Sequence, residues 1–345
     1  METSSKENKI VKFSSDSRET ARTIPDDRQD AKVFNLEQER EERRKKSIEG
    51  VVNFRDEQYA QDIEKDSSKE NMLSSLERHN KIVLEYANDL IEDEKLSPQD
   101  RVAATIATIM HDSGKLSSDD LEHHKRGVQY TQEMLEKMQK ENRKFEGVEI
   151  TQDLKQKILQ AIERHMNHPF LIKKNGGKRF PEPENIVDKV VYDADMLANI
   201  GFKNVGVRLG IEKFLEEDLA KANEKKTNAI EEAFKNVMDG VDELGGVVLT
   251  SLGKRVAKER IEDVNRIFEY FKENKVFENM ISEQSIFEEK TRKIGKVLGV
   301  DSNVTEEVIA KENSAESKKN KLNLEIAKAG MALGIDSEIV DKLMM

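Results

Sequence analysis

Six histidines occur in this 345-residue chain: His79, His111, His123, His124, His165 and His168, all within one ninety-residue window. His111 is followed directly by Asp112, in the stretch I-M-H-D-S-G-K over Ile109–Lys115. Such a pair offers one neutral nitrogen and one anionic oxygen to a divalent cation. Two further aspartates, Asp193 and Asp195, lie among apolar residues in I-V-D-K-V-V-Y-D-A-D-M-L-A-N-I-G. A buried carboxylate without a partner costs on the order of several kcal/mol, so this segment calls for a cation or a metal. The chain has no cysteine, which leaves histidine and carboxylate as the ligands for any such ion. Lys115 follows the His-Asp pair closely enough to meet an anionic substrate.

The elements that must position these residues read as helices. Leu73, Ile82, Val83, Tyr86, Leu90 and Ile91 recur at helical spacing, and His79, one turn before Val83, shares their buried face. Ser97-Pro98-Gln99-Asp100 is a helix start, with a serine cap, a proline in the first turn and an acid at the positive dipole end. The following V-A-A-T-I-A-T-I-M is apolar on nearly every side and should be buried all round. It ends at His111-Asp112, where Gly114 is expected to supply a left-handed stop. Ser117-Ser118-Asp119-Asp120 opens a helix running to about Asn142. On it His124 joins a stripe with Leu121, Val128 and Leu135, while His123 joins Gly127, Tyr130 and Met134. Helical neighbours diverge by about 100°, so one of the two faces a site and periodicity slightly favours His124. Gln152–Arg164 is a further helix ending in His165, with His168 one turn on. Lys173–Pro183 is a basic loop that either contacts phosphate or is simply exposed.

Charged residues make up 37% of the chain, hydrophobic residues 36% and aromatics 5%, a balance that suits a helix-rich protein with polar extensions. The net charge of −11 argues against a non-specific DNA or RNA binder. No apolar run approaches the roughly 20 residues that span a bilayer, and the N-terminus lacks a signal-peptide core, so a cytoplasmic, membrane-free protein is expected. Residues 1–70 are expected to be a charged, largely disordered extension, in which Leu36–Lys46 has no face to bury. Leu215–Asp242 is polar and helical in pattern, with the character of an insertion.

The ordered set His79, His111-Asp112 and Asp195 within A-D-M-L resembles the H…HD…D signature of the HD-domain metal-dependent phosphohydrolases. The strings H-N-K-I-V-L-E-Y-A-N-D-L, H-H-K-R-G-V-Q-Y-T-Q-E-M-L, A-I-E-R-H and L-T-S-L-G-K-R-V-A-K-E-R add to the likeness, which covers about residues 75 to 273. It is nearest to the small stand-alone bacterial members that hydrolyse nucleotides. The resemblance implies an all-α HD-domain helical bundle over 71–275, with a metal held by His79, His111, Asp112 and Asp195. It also implies that His123, through its H-x3-G spacing to Gly127, and His165 bind a second metal or face the phosphate. The chain lacks the Gly-Tyr-Pro string of the cyclic-dinucleotide phosphodiesterases. It also has S-G-K in place of the acidic pair of guanosine-tetraphosphate hydrolases.

The chemistry this implies is hydrolysis of a nucleotide or related phosphate ester. A bound divalent ion (Mn²⁺, Fe²⁺, Co²⁺ or Mg²⁺) lowers the pKa of water towards about 7 and makes hydroxide available at neutral pH. Asp112 would orient the water, and Lys115, Arg126 and Arg179 would offset charge on the phosphoryl group. The alternative is a catalytically silent HD domain serving as a regulatory or ligand-binding module. Residues 276–345 form a helical tail with a short repeat, K-V-L-G-V-D-S-N-V-T-E-E-V-I from Lys296 and M-A-L-G-I-D-S-E-I-V-D-K-L from Met331. The charged stretch Lys311–Lys321 between the copies reads as a linker, and the tail is a candidate surface for homo-oligomerisation or a protein partner.

Overall fold

The computed structural model describes residues 27–118, 121–201, 238–298, 301–312 and 315–344. The expectations placed on residues 1–26, on Asp119-Asp120, on most of Leu215–Asp242 and on Gly299 lie outside them. The fold is all-α. Among the described residues the strands are the two-residue β1 (Lys144–Phe145) and β2 (Val148–Glu149), which form one antiparallel hairpin. No described helix is long and apolar enough to cross a membrane.

The helices run α1 (Asp27–Lys65), α2 (Glu70–Asp93), α3 (Pro98–Met110), α4 (His123–Lys140), α5 (Gln152–Arg164), α6 (Pro169–Lys174) and α7 (Ile186–Ala198). The chain then continues through α8 (Ser251–Glu273), α9 (Val276–Leu298), α10 (Ser302–Glu312), α11 (Ala315–Leu333) and α12 (Ser337–Leu343). At the centre stands α3, packed against α2, α5 and α7. Every residue from Val102 to Met110 is buried, as its all-round apolar sequence predicts. Ser97 Oγ accepts the Asp100 N–H at 3.2 Å and Pro98 occupies the first turn, so the start also follows the sequence. An axial helix buried on all sides is a rigid platform, since each fully buried Ile or Met contributes ~1.5–3 kcal/mol.

Three expectations need correction. Residues 43–65 are not a free arm. Beyond the charged Leu36–Lys46, α1 carries Val51, Tyr59 and Asp62, each at most 2% exposed. Tyr59 packs with Leu76 and Leu116, and Asp62 accepts the Tyr130 hydroxyl at 2.7 Å. The fourth helix begins at His123, because Leu121-Glu122 are a turn and Glu122 caps only with its backbone. The stretch Lys311–Lys321 is no linker along its whole length, since α11 starts at Ala315.

The tail repeat has a structural counterpart. Gly330 on α11 lies under Val340 of α12, and Gly295 on α9 lies under Thr305 of α10, at the same offset. Asp336 and Asp301 accept the N–H of Glu338 and Asn303, at 2.8 and 2.7 Å, and start the second helix of each hairpin. The second copy buries Val340 and Leu343, whereas at the matching positions the first has buried Thr305 and half-exposed Val308.

Candidate metal centre

Four helix ends converge on Asp112. Its carboxylate is 1% exposed and projects from the turn that follows α3. Oδ2 lies 3.3 Å from His111 Nε2 and 3.6 Å from His79 Nε2. On the same side, Asp195 Oδ1 from α7 lies 3.0 Å from His79 Nε2 and 3.9 Å from His111 Nε2. The other oxygen, Oδ1, faces His123 Nε2 of α4 at 3.2 Å and His165 Nε2 at the end of α5 at 3.7 Å. His123 and His165 approach each other through their Nε2 atoms at 3.2 Å. Two groups of ligand atoms result: His79, His111 and Asp195 on one side, and Asp112, His123 and His165 on the other.

Local hydrogen bonds set the chemistry of the nitrogens. His111 Nδ1–H donates to the Thr108 carbonyl at 2.7 Å, and His165 Nδ1–H donates to the Ile162 carbonyl at 2.5 Å. Each ring therefore turns the lone pair of Nε2 into the centre, the usual way a protein fixes a ligating imidazole. Asn199 donates to Asp195 Oδ1 at 2.9 Å and steadies that carboxylate. Arg164 binds Asp188 at 2.7 Å, tying the helix before His165 to the helix that carries Asp195.

The donor set fits a divalent cation. His111 Nε2 and Asp112 Oδ1 are buried without a hydrogen-bond partner, a costly state in a protein interior. Ligands about 2.0–2.2 Å from one ion stand roughly 3 Å apart, close to the separations found here. Burial alone would raise the Asp112 pKa, but neighbouring His111 and the Lys115 ammonium hold it well below the usual carboxylate range. Asp195 likewise resists the upward push of burial, through the His79 hydrogen bond and His111, and stays ionised. Burial lowers the pKa of His123, which keeps it neutral and able to ligate. Nitrogen and oxygen donors without sulfur suit Mn²⁺, Fe²⁺, Co²⁺, Mg²⁺ or Zn²⁺.

Glycine sets the close fit around the aspartate. Gly114 does not have a positive φ, so it is no left-handed stop. A Cβ there would lie 2.2 Å from the His123 carbonyl oxygen and 2.8 Å from Gly127 N. Gly114 is thus required by the approach of two backbones, the turn after α3 and the first turn of α4. That contact also settles the choice on α4. His123 points at Asp112, while His124 turns away to meet Phe180, ring centroids 5.7 Å apart.

The two neighbouring aspartates have different roles. Asp193 is fully buried and accepts Leu249 N–H, Thr250 N–H and the Thr250 hydroxyl, at 2.8, 2.7 and 2.6 Å. It holds the start of α8 and is not part of either ligand group. Lys115 reaches Asp112 Oδ2 with its Nζ at 2.6 Å and keeps 30% of its side chain exposed, at the mouth of the centre. The side chains of Arg126 and Arg179 have partners outside the two ligand groups. Arg126 lies over the Tyr130 ring at 4.1 Å and bonds Gln129, and Arg179 pairs with Glu182 on the exposed loop.

Sequence reasoning left three contributors unassigned. His168 caps α6, its Nδ1 accepting the Phe170 N–H at 3.0 Å, which puts its proton on Nε2. Burial lowers its pKa to about 4, and the Asp195 carboxylate and the Lys115 ammonium are its nearest charged neighbours. The His-Pro dipeptide, a cap followed by a first-turn proline, was the available signal. Tyr59 donates to the Asp112 carbonyl at 3.3 Å and receives Asn80 Nδ2–H at 3.0 Å, supporting the back of the turn. For Tyr59 and Asn80 the sequence carries no comparable signal.

Residues 76–200 match the family described as HD domain. This part of the chain is similar to HD domains, and the match covers little more than a third of the chain. The matched segment holds both ligand groups and ends before α8. No curated protein and no solved structure matches the chain.

Proposed function

We propose that the protein is a metal-dependent phosphohydrolase that cleaves a nucleotide or a related phosphate ester. The observation that carries this reading is Asp112, whose two oxygens face two separate sets of nitrogen and oxygen donors. A divalent ion held there would draw a phosphoryl oxygen and lower the pKa of water towards about 7. The chain's own groups do the rest. His111 and His165 are locked with Nε2 inward, so neither ring needs to reorganise when substrate arrives. Asp112, held ionised, keeps that water in line with the phosphorus. Lys115, at the mouth, carries the positive charge that meets the phosphate, and His168 adds an Nε2–H donor behind it.

The test is metal analysis of the purified chain, followed by phosphate release from a nucleotide panel with Mn²⁺. Bound metal and turnover that falls about a thousandfold in Asp112→Ala are expected. Absence of metal, or an Asp112→Ala variant as active as the native chain, would overturn the proposal. Bound metal with no hydrolysis of any phosphate ester would favour the ligand-binding module instead.

A further inference from the structure

A second cavity, of about 530 Å³, lies between the middle of α1, α4 and the β1–β2 hairpin, and shares no residue with the metal centre. Its volume falls within the range of small-molecule sites. Five basic side chains line it, Arg43, Lys46, Lys137, Arg143 and Lys144, against the single acid Glu57. In a chain of net charge −11 this is a local reversal of sign, which concentrates small anions.

The floor is different from the rim. Val51, Met134, Met138 and Phe145 are at most 7% exposed, and Phe54 packs beside them. Two thioethers and two phenyl rings form a polarizable apolar surface that suits a flat aromatic group. The frame is held in place. Ser47 Oγ accepts the Glu146 N–H at 3.1 Å and pins the hairpin to α1. Gly50 presents no side chain, and the Arg143 guanidinium lies 3.6 Å from where its Cβ would be. The ion pair of Arg143 with Glu141, at 3.5 Å, is exposed on both sides, the kind that a ligand phosphate can replace at little cost.

We infer that this cavity binds a nucleoside di- or triphosphate, its base on the Phe54–Met134–Met138–Phe145 floor and its phosphates among the basic side chains. Several positive charges around a single-molecule volume match a compact polyanion, and the apolar floor distinguishes a nucleotide from bare phosphate. The site does not depend on the metal centre. A ligand here would bridge α1 and α4, the helices that also carry Tyr59 and His123.

Titration calorimetry of the full chain in EDTA, which silences metal-dependent binding, tests the inference with ATP, GTP and inorganic tripolyphosphate. The native chain should bind one nucleoside triphosphate, and tripolyphosphate about tenfold more weakly. Lys46→Glu with Arg143→Glu should weaken nucleotide binding about 30-fold. Melting curves would establish that this variant is folded, and its Mn²⁺-dependent hydrolysis of a generic phosphate ester should be retained. Four results would overturn the inference: no binding in EDTA, binding indifferent to the charge reversals, tripolyphosphate as tight as nucleotide, or tighter binding of single-stranded RNA than of mononucleotide. Loss of hydrolysis in Asp112→Ala leaves each of these outcomes unchanged, so the two proposals fail separately.

Discussion

The Oδ2 side and the Oδ1 side of Asp112 are walled differently. On the Oδ2 side, His79 keeps 15% of its side chain exposed, Asp195 9%, and Lys115 stands at the rim. On the Oδ1 side, His123 and His165 are at most 2% exposed, and among the described residues no second carboxylate joins them. With Oδ2 of the shared Asp112, the first group offers two acids and two imidazoles. The second has to share its only acid. Charge decides which binds a dication more tightly, since each added carboxylate offsets the ion's own charge in a poorly solvated cavity. The Oδ2 side should therefore hold the tighter ion, and the Oδ1 side should fill second.

Substitutions that separate the sides sharpen this contrast. The largest effect is expected for Asp112→Ala, which takes an oxygen from both groups and should leave no bound metal by elemental analysis. His111→Ala should abolish the tight ion, and activity with it, by about a thousandfold. His123→Ala should lower the metal content from two equivalents to one and leave the remaining affinity within about tenfold of native, read by metal titration. Equal losses in the two variants would show that the sides are not distinct.

Asp193 and Asp195 extend the comparison to stability. Asp193→Ala strips the Leu249 and Thr250 amides of their acceptor and should cost about 2–4 kcal/mol in urea unfolding. Asp195→Asn, by contrast, should affect metal binding more than folding. A comparable effect concerns acid. His168 has its pKa lowered by burial from the usual 6.5 to about 4. Between those values the unfolded chain binds the extra proton, so stability is present above pH 6.5 and is lost as pH falls towards 4. For the chain in EDTA the loss is on the order of 3 kcal/mol, and His168→Gln should flatten the slope.

How much of this was legible before the structure depends on which interaction positions each residue. The buried helix α3, its Ser97-Pro98 start and the order of His79, His111-Asp112 and Asp195 follow from local pattern. The choice between His123 and His124 does not. Both stripes on α4 are apolar enough to be inward, and the contact of Gly114 with Gly127 decides, across a gap in the sequence that no periodicity spans. The same holds for Asp193, whose partners Leu249 and Thr250 lie more than fifty residues away. In α1 the dense charge of Leu36–Lys46 concealed the face that begins at Val51, because burial there comes from tertiary packing and not from helix propensity.

The crossing at Gly114 also sets what evolution can repair. In most crowded sites a larger residue is tolerated once a neighbouring side chain shrinks. At Gly114 the nearest colliding atom is the His123 carbonyl oxygen, followed by Gly127 N and the Arg126 Cβ, and the first two belong to the main chain that every amino acid carries. A selection for second-site suppressors of Gly114→Ala should therefore return only true revertants to glycine. The spacing between the two histidine pairs is written in the main chain, out of reach of side-chain compensation.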